Sequence, residues 1–183
     1  VIMPLVMPAT DKSLGQTSVV ILTTAPAAAT GIPTLTEANA GVFGSMHIYG
    51  GFNVAPTQDT GAGPRPIGTK TTPTELGTVT QPATQVQYSY RPQLADAAGG
   101  EGNELFDALP EGAQVTVLTL NAVDGETDTL TADMVVNGIY LMECGVQADG
   151  GATGDGDYDK FAITQQLITV GGEPIARNVK LSA

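Results

Sequence analysis

The run Asp155-Gly156-Asp157-Tyr158-Asp159 sets three carboxylates at every second position. That is how a calcium loop gathers oxygen ligands. An EF-hand loop opening at Asp155 also needs Gly at its sixth position and a bidentate Glu at its twelfth. Lys160 and Gln166 stand there, and the flanking runs are β-prone rather than helical. The run therefore reads as a solvated loop. His47 is the only histidine, set between Met46 and Ile48 in a strand-like stretch. A histidine-dependent triad would have to be built on it, and a structural role is the simpler reading. Paired carboxylates for glycoside hydrolysis depend on spatial pairing. A sugar site normally supplies Trp or clustered aromatics, and the chain has no Trp. No Gly-x-Gly-x-x-Gly follows a strand, and no phosphate-binding Gly-Lys-Ser/Thr occurs. The one cysteine, Cys144, excludes an internal disulfide and reads as a small buried hydrophobe. No cofactor is called for, and the chain reads as a non-enzyme.

The elements that would carry these residues are mostly strands. Residues 17–24 include Val19-Val20-Ile21-Leu22, a run suited to burial on both faces. Thr34 and Glu37 have capping-box spacing at the start of a short helix over residues 33–41, which Gly41 could end. Residues 42–49 read as the next strand. Residues 50–77, rich in Gly, Pro and Thr, read as one long protruding loop. Residues 84–90 alternate: Val86, Tyr88 and Tyr90 share one face, Gln85, Gln87 and Ser89 the other. A second short helix over residues 103–109 offers Leu105, Phe106 and Leu109. Residues 113–120 form a strand, and 127–134 a weaker one. Residues 137–170 make a large β-hairpin around the acidic loop 149–159, and residues 174–183 a last strand or arm. The whole, 1–183, is a single domain of mainly antiparallel β structure, a sandwich or flattened barrel with one or two short helices.

Charge narrows the class. Charged residues are 14% of the chain, against ~25% in an ordinary soluble domain. Low charge suits a surface covered by other copies, because interface cores are depleted of charge. Net charge is −12, and between Pro92 and Asp159 there are fourteen acids and no Lys or Arg. Binding phosphate takes the opposite sign, so ordinary nucleic-acid binding is excluded. Val1-Ile2-Met3-Pro4-Leu5-Val6-Met7-Pro8 is apolar, broken by prolines and without a basic start. It reads as the tip of an extended arm over residues 1–16, not as a signal peptide or membrane span.

Two blocks carry a resemblance. One is Ala9-Thr10-Asp11-Lys12-Ser13-Leu14-Gly15-Gln16-Thr17-Ser18-Val19-Val20; the other is Gly156-Asp157-Tyr158-Asp159-Lys160-Phe161-Ala162-Ile163-Thr164-Gln165. Between them lie Tyr88-Ser89-Tyr90-Arg91-Pro92 ahead of a short helix and the Leu109-Pro110-Glu111-Gly112 turn. In this order the chain resembles the major tail tube proteins of long-tailed, siphovirus-like bacteriophages infecting actinobacteria.

The resemblance implies a structural virion protein of the tail, assembled in the host bacterial cytoplasm. In that family six subunits form a ring, their hairpins join into an inner β-barrel, and rings stack into a tube that conducts DNA from capsid to cell. The implied partners are other copies of the chain, the tape measure protein, and the tail terminator and distal tail proteins; no membrane is involved. DNA passes the lumen without specific binding, and an acidic lumen would let it slide. Residues facing the lumen would be Glu143 and Gln147 of the hairpin with Gln85 and Gln87. In the hairpin's first strand Tyr140, Met142, Cys144 and Val146 would face the core. Ring-to-ring contacts would come from Val1, Ile2, Met3, Leu5, Val6 and Met7 of the arm and from Arg65 of the long loop. The alternatives are a capsid decoration or tail-completion protein, or a secreted β-sandwich glycan-binding module.

Overall fold

Strands form where β-branched residues alternate or cluster, and the longest such runs lie at the centre. The computed structural model describes residues 15–91, 103–153 and 160–182. Its strands are β1 (Thr17–Leu22), β2 (Val42–Phe43), β3 (Ile48–Tyr49), β4 (Thr57–Ala62), β5 (Thr74–Thr80) and β6 (Thr84–Ser89). They continue as β7 (Gln114–Asn121), β8 (Val135–Cys144), β9 (Ala148–Thr153), β10 (Lys160–Thr169) and β11 (Ala176–Lys180). Two short α-helices, α1 (Leu35–Asn39) and α2 (Glu104–Ala108), and a 3-10 turn over Val170–Gly172 complete the described elements.

One antiparallel sheet runs in the order β2-β1-β7-β8-β10-β6-β3, with β11 beside β8 and β9 beside β10. Laid flat, the six steps of that order would separate its ends by about 29 Å at ~4.8 Å per strand. Yet β2 and β3 stand at those two ends and only residues 44–47 join them. Even fully extended, the five steps from Phe43 to Ile48 reach only about 18 Å. The sheet must therefore curl, and it does. The mainly β, barrel-like architecture with two short helices follows.

Curling encloses one hydrophobic cluster, and the outer face carries another. In β1, Val19 and Ile21 enter the first cluster and Val20 and Leu22 the second. In β7, Val115 and Val117 enter the first, Leu118 and Leu120 the second. The period-two alternation thus serves two cores at once. α1 helps to roof the second. Its capping box is complete: the Glu37 amide donates to Thr34 Oγ1 at 3.3 Å, and the Thr34 amide to Glu37 Oε2 at 2.7 Å. The backbone amides of Thr34 and Ala27 donate to the Glu37 carboxyl and hold it below its usual range, the bond from Thr34 being the largest cause.

Several expectations change. Gly41 does follow the helix, but its role is close approach rather than a left-handed turn. A Cβ there would lie 2.9 Å from Ile21 O and from Val20 Cγ1. The strand expected over 42–49 is broken by a turn in which Gly44 O accepts from the His47 and Ile48 amides at 3.0 and 3.1 Å. Residues 127–134 form no strand, because the Asn39 side chain takes the backbone of Leu130. Its Oδ1 accepts from Leu130 N at 2.7 Å and its Nδ2 donates to Leu130 O at 3.1 Å. Leu130 is thereby plugged into the second cluster. Residues 50–77 are not one loop: β4 and β5 pair as a separate two-stranded sheet, exposed along its whole length. Beyond Cys144 the strand stops, because the Gly145 amide turns to Gln166 O at 2.8 Å. Val146 consequently leaves the core face and is 71% exposed.

The two clusters predict where stability lies. Leu118, fully buried in the second cluster, should cost ~2–5 kcal/mol when cut to Ala. Ile67→Ala, at a fully exposed side chain, should stay within about 0.5 kcal/mol. Denaturant titration of both variants checks the contrast.

Candidate functional site

The second cluster covers the outer face of the sheet only as far as the middle of β8. Beyond it the same face is open. Strand register places Gln114, Glu143 and Ile168 side by side across β7, β8 and β10. It pairs Gln166 with Gln85, and Thr164 with Gln87, across β10 and β6. Glu143, Gln85, Gln114, Gln166 and Ile168 are exposed, whereas Gln87 and Thr164 are half-buried. Glu143 is the only charged side chain in this set. The structure thus brings three of the four sequence-selected residues, Glu143, Gln85 and Gln87, onto one polar face.

Gln147 sits apart from them. Because the strand breaks at Gly145, its side chain turns toward the end of α2. Its amide Nε2 lies within donating distance of Phe106 O (2.8 Å), Leu109 O (3.1 Å) and Tyr88 Oη (3.2 Å). Gln165 completes this network, and sequence reasoning missed it. It is 1% exposed, accepts from Tyr88 Oη at 3.0 Å, and donates to Gly145 O at 2.8 Å and Leu109 O at 3.0 Å. The signal was available, since Gln165 lies between Ile163 and Leu167 on the buried side of an alternating strand. Burial pushes the Tyr88 hydroxyl up to about 12 from its ordinary 10.0, opposed by the bond from Gln147.

The remaining candidates hold structure together. His47 Nε2 lies 3.2 Å from Glu104 Oε2 and its Nδ1 3.2 Å from Ser89 Oγ. A hydroxyl, an imidazole and a carboxylate in a row suggest acyl transfer. Ser89, however, keeps regular strand register opposite Ala162, not the sharp turn that presents a nucleophile. The row pins the start of α2 to the β3–β6 edge. Cys144 is buried, and burial followed by the neighbouring Glu143 carboxylate pushes its thiol up to about 11. Such a thiol is unreactive near neutrality. Among the described residues no group of three or more His, Cys, Asp or Glu is placed to hold a metal ion. Asp155, Asp157 and Asp159 lie outside those residues, as do Val1, Ile2, Met3, Leu5, Val6 and Met7. Arg65 stands in the connection between β4 and β5, exposed, its Nη1 donating to Thr69 O at 3.2 Å. Among the described residues, no helix is long and apolar enough to cross a membrane.

The chain is thus a mainly β protein whose distinctive surfaces are the open polar face of its curled sheet and a separate exposed hairpin. The chain belongs to the phage tail tube protein family, whose model matches residues 6–170. A search of curated proteins finds no match. Family membership makes the chain a structural component of a bacteriophage tail.

The buried tyrosine gives a pH prediction. Above pH 10 the unfolded chain surrenders the Tyr88 proton while the folded chain keeps it to about pH 12. Stability is therefore fully present below pH 10 and falls between pH 10 and 12. Tyr88→Phe should flatten that fall while costing ~1–3 kcal/mol at neutral pH, because it strands the Gln165 acceptor. Urea midpoints measured across the pH range check both parts.

Proposed function

We propose that six copies of this chain close into a ring, and that rings stack into the hollow tail tube that conducts DNA from the capsid to the host cell. The observation that supports this most is the polar face carried by β6, β8 and β10. Its residues are Gln, Thr and one Glu, with an exposed Ile168 and no Lys or Arg among them. A channel wall that DNA must pass without sticking needs amides and hydroxyls, and no fixed cation to hold phosphate. The lumen wall is then Glu143, Gln85 and Gln87 with Gln166 and Thr164, while Gln147 braces it from behind.

Strand edges point the same way. Among the described residues, β9 pairs with β10 alone, and β3 with β6 alone. An unpaired edge is a liability for a solitary domain, and side-by-side closure of copies would pair such edges. Ring-on-ring contact is heterologous and does not close, so it grows a filament. The apolar arm and the exposed β4–β5 hairpin with Arg65 supply those contacts. In this reading the protein works with a tape measure protein, a terminator and distal tail proteins, in a long-tailed phage of an actinobacterial host. It catalyses nothing. Tail tube membership supports this over a capsid decoration protein or a glycan-binding module.

Two measurements bear on it. Concentrated protein viewed by negative-stain microscopy, with mass photometry of the dilute sample, should show six-copy rings and tubes; a monomer under every condition defeats the proposal. Phage carrying Glu143→Lys should assemble tails but eject DNA more slowly. The delay should grow at low salt, where the Debye length is about 30 Å instead of about 10 Å. Ejection at the normal rate at every salt concentration removes Glu143 from the lumen wall.

A further inference from the structure

The sheet has a notch where β7 and β8 part. Their last paired residues are Thr119 and Gly138. Just beyond, the Asn121 amide donates to Asn137 Oδ1 at 2.6 Å, so a side chain stands where the backbone ladder would continue. A cleft of about 440 Å³ opens beside that bond, between the chain leaving β7 and the chain entering β8. Val123, Met134 and Val135 give it apolar walls and Asp124 an acidic one. Val123 and Met134 pack against the second cluster yet are only half-buried, and Val135 is 39% exposed. Covering apolar surface of this kind is favourable. Lys180, the strand partner of Val135 on β11, lies toward Asp133 at 3.9 Å, and no Lys or Arg lines the cleft.

The described chain begins at the rim of this cleft. Gly15 O accepts from the Gly125 amide at 2.8 Å, and Gly125 follows Asp124 in the turn that forms one wall. Gly15 itself lies in a turn at φ +69°, so the chain does not run straight out of the sheet from β1. The segment before it, residues 1–14, carries Leu5, Val6, Met7 and Leu14 and a single cation, Lys12. No other Lys or Arg precedes Arg65. A cation three residues from Gly15 is thus tied to a rim that bears Asp124 and Glu126. Reach is no obstacle, because the seven steps from Met7 to Leu14 span up to about 25 Å. So short a tether gives an effective concentration of about millimolar, roughly a thousandfold above a neighbour's arm in a micromolar sample. In the dilute protein the chain's own arm therefore reaches the cleft first.

We infer that in the free subunit residues 5–14 fold back into the β7–β8 cleft of their own chain. Met7 and Leu14 pack on Val123, Met134 and Val135, and Lys12 turns to Asp124 and Glu126 while Asp11 stays in solvent. The seat gives an apolar arm a covered position before any partner is present. It is a property of the single chain and does not need a ring or a tube. In the tube reading it also withholds the arm from a neighbouring ring until copies are packed closely enough for their arms to compete.

Paired cysteines test the seat. A full-length Met7→Cys/Val135→Cys variant is oxidised mildly at a dilution where mass photometry counts single copies. The product should be a monomer that migrates faster on a non-reducing denaturing gel, in a yield that further dilution leaves unchanged. The native thiol at Cys144 is buried and does not compete. Adding Lys12→Glu should slow the closure a few-fold, the worth of an exposed ion pair, and Lys12→Arg should leave it as it was. Should the double cysteine variant fail to fold, Met7→Trp replaces it. The chain has no other Trp, so the emission should be that of an indole shielded from water. In Met7→Trp/Val135→Glu it should shift to that of an exposed one. Disulfides that join copies, an arm that stays open under oxidation, or an indole fully exposed in the dilute subunit overturn the inference. Each of these outcomes leaves the tube reading standing, since rings and tubes are read separately by microscopy.

Discussion

Strand β8 changes environment halfway along, and the rest of the molecule is arranged around that change. On its outer face Ile139 is fully buried in the second cluster, Leu141 is half-covered, and Glu143 is exposed. Its partners change with it: β11 pairs with the first half, β10 with the last three residues. A sheet face must be covered where it is apolar, and the cover here is α1, the Leu130 plug and β11. Where that cover ends, the side chains become amides and hydroxyls. One half of the sheet is therefore a two-sided core that supplies stability. The other half is one-sided and presents a surface. Over the second half of β8 the inner face is apolar through Tyr140, Met142 and Cys144, so the surface half is anchored to the first cluster.

The glutamine network solves a local problem created by this arrangement. Helix α2 has five residues, too few to stand on its own hydrogen bonds. Its last carbonyls have no partner within the helix. Gln147 and Gln165 both donate to Leu109 O, and Gln147 also reaches Phe106 O. At the other end His47 lies against Glu104. The helix is thus held at both ends by side chains from the sheet, and Leu105 and Leu109 can fill the inner cluster. Fully paired, buried polar groups of this kind fix one arrangement. Half-paired, they would cost more than an apolar core. In the tube reading this network lies behind the lumen face and keeps Gln85 and Gln87 on β6 in fixed register with β10.

Local signals in the sequence were legible and distant ones were not. The alternation of Val86 and Tyr88 against Gln85 and Gln87, the Thr34–Glu37 capping box and the two-faced runs of β1 and β7 all depend on neighbours a few residues away. Each appears in the fold at its expected place. The features that escaped depend on partners far along the chain. Leu130 loses its strand to Asn39, 91 residues away, and the strand over 42–49 breaks where Gly44 passes under Leu105. Gln147 was placed beside Glu143 because period two was extended through Gly145, where the backbone turns to Gln166 instead. For the surface residues the pattern of type was readable: three of the four selected polar side chains share a face. What they face depends on other copies, which no single chain encodes locally.

The same logic explains why the chain carries features that a solitary domain would avoid. A two-stranded hairpin exposed on both faces is at best marginally stable in water, yet β4 and β5 are exposed throughout and bear exposed Leu76 and Val79. Phe161 and Ile168 are exposed on β10, the strand between β8 and β6 in the main sheet. Isolated exposed apolar groups are ordinary; here several lie on the hairpin and on the one-sided half of the sheet, while Val135 at the start of β8 and Met46 in the turn before β3 lie outside both. The charge distribution follows the same division, with cations on the hairpin connection and none in the polar face set. A protein whose stability comes from one half of a sheet can leave the other half and the hairpin to be completed by neighbours. The interactions that fold the chain and those that would assemble it are then carried by different residues, and assembly strength can change without changing the fold.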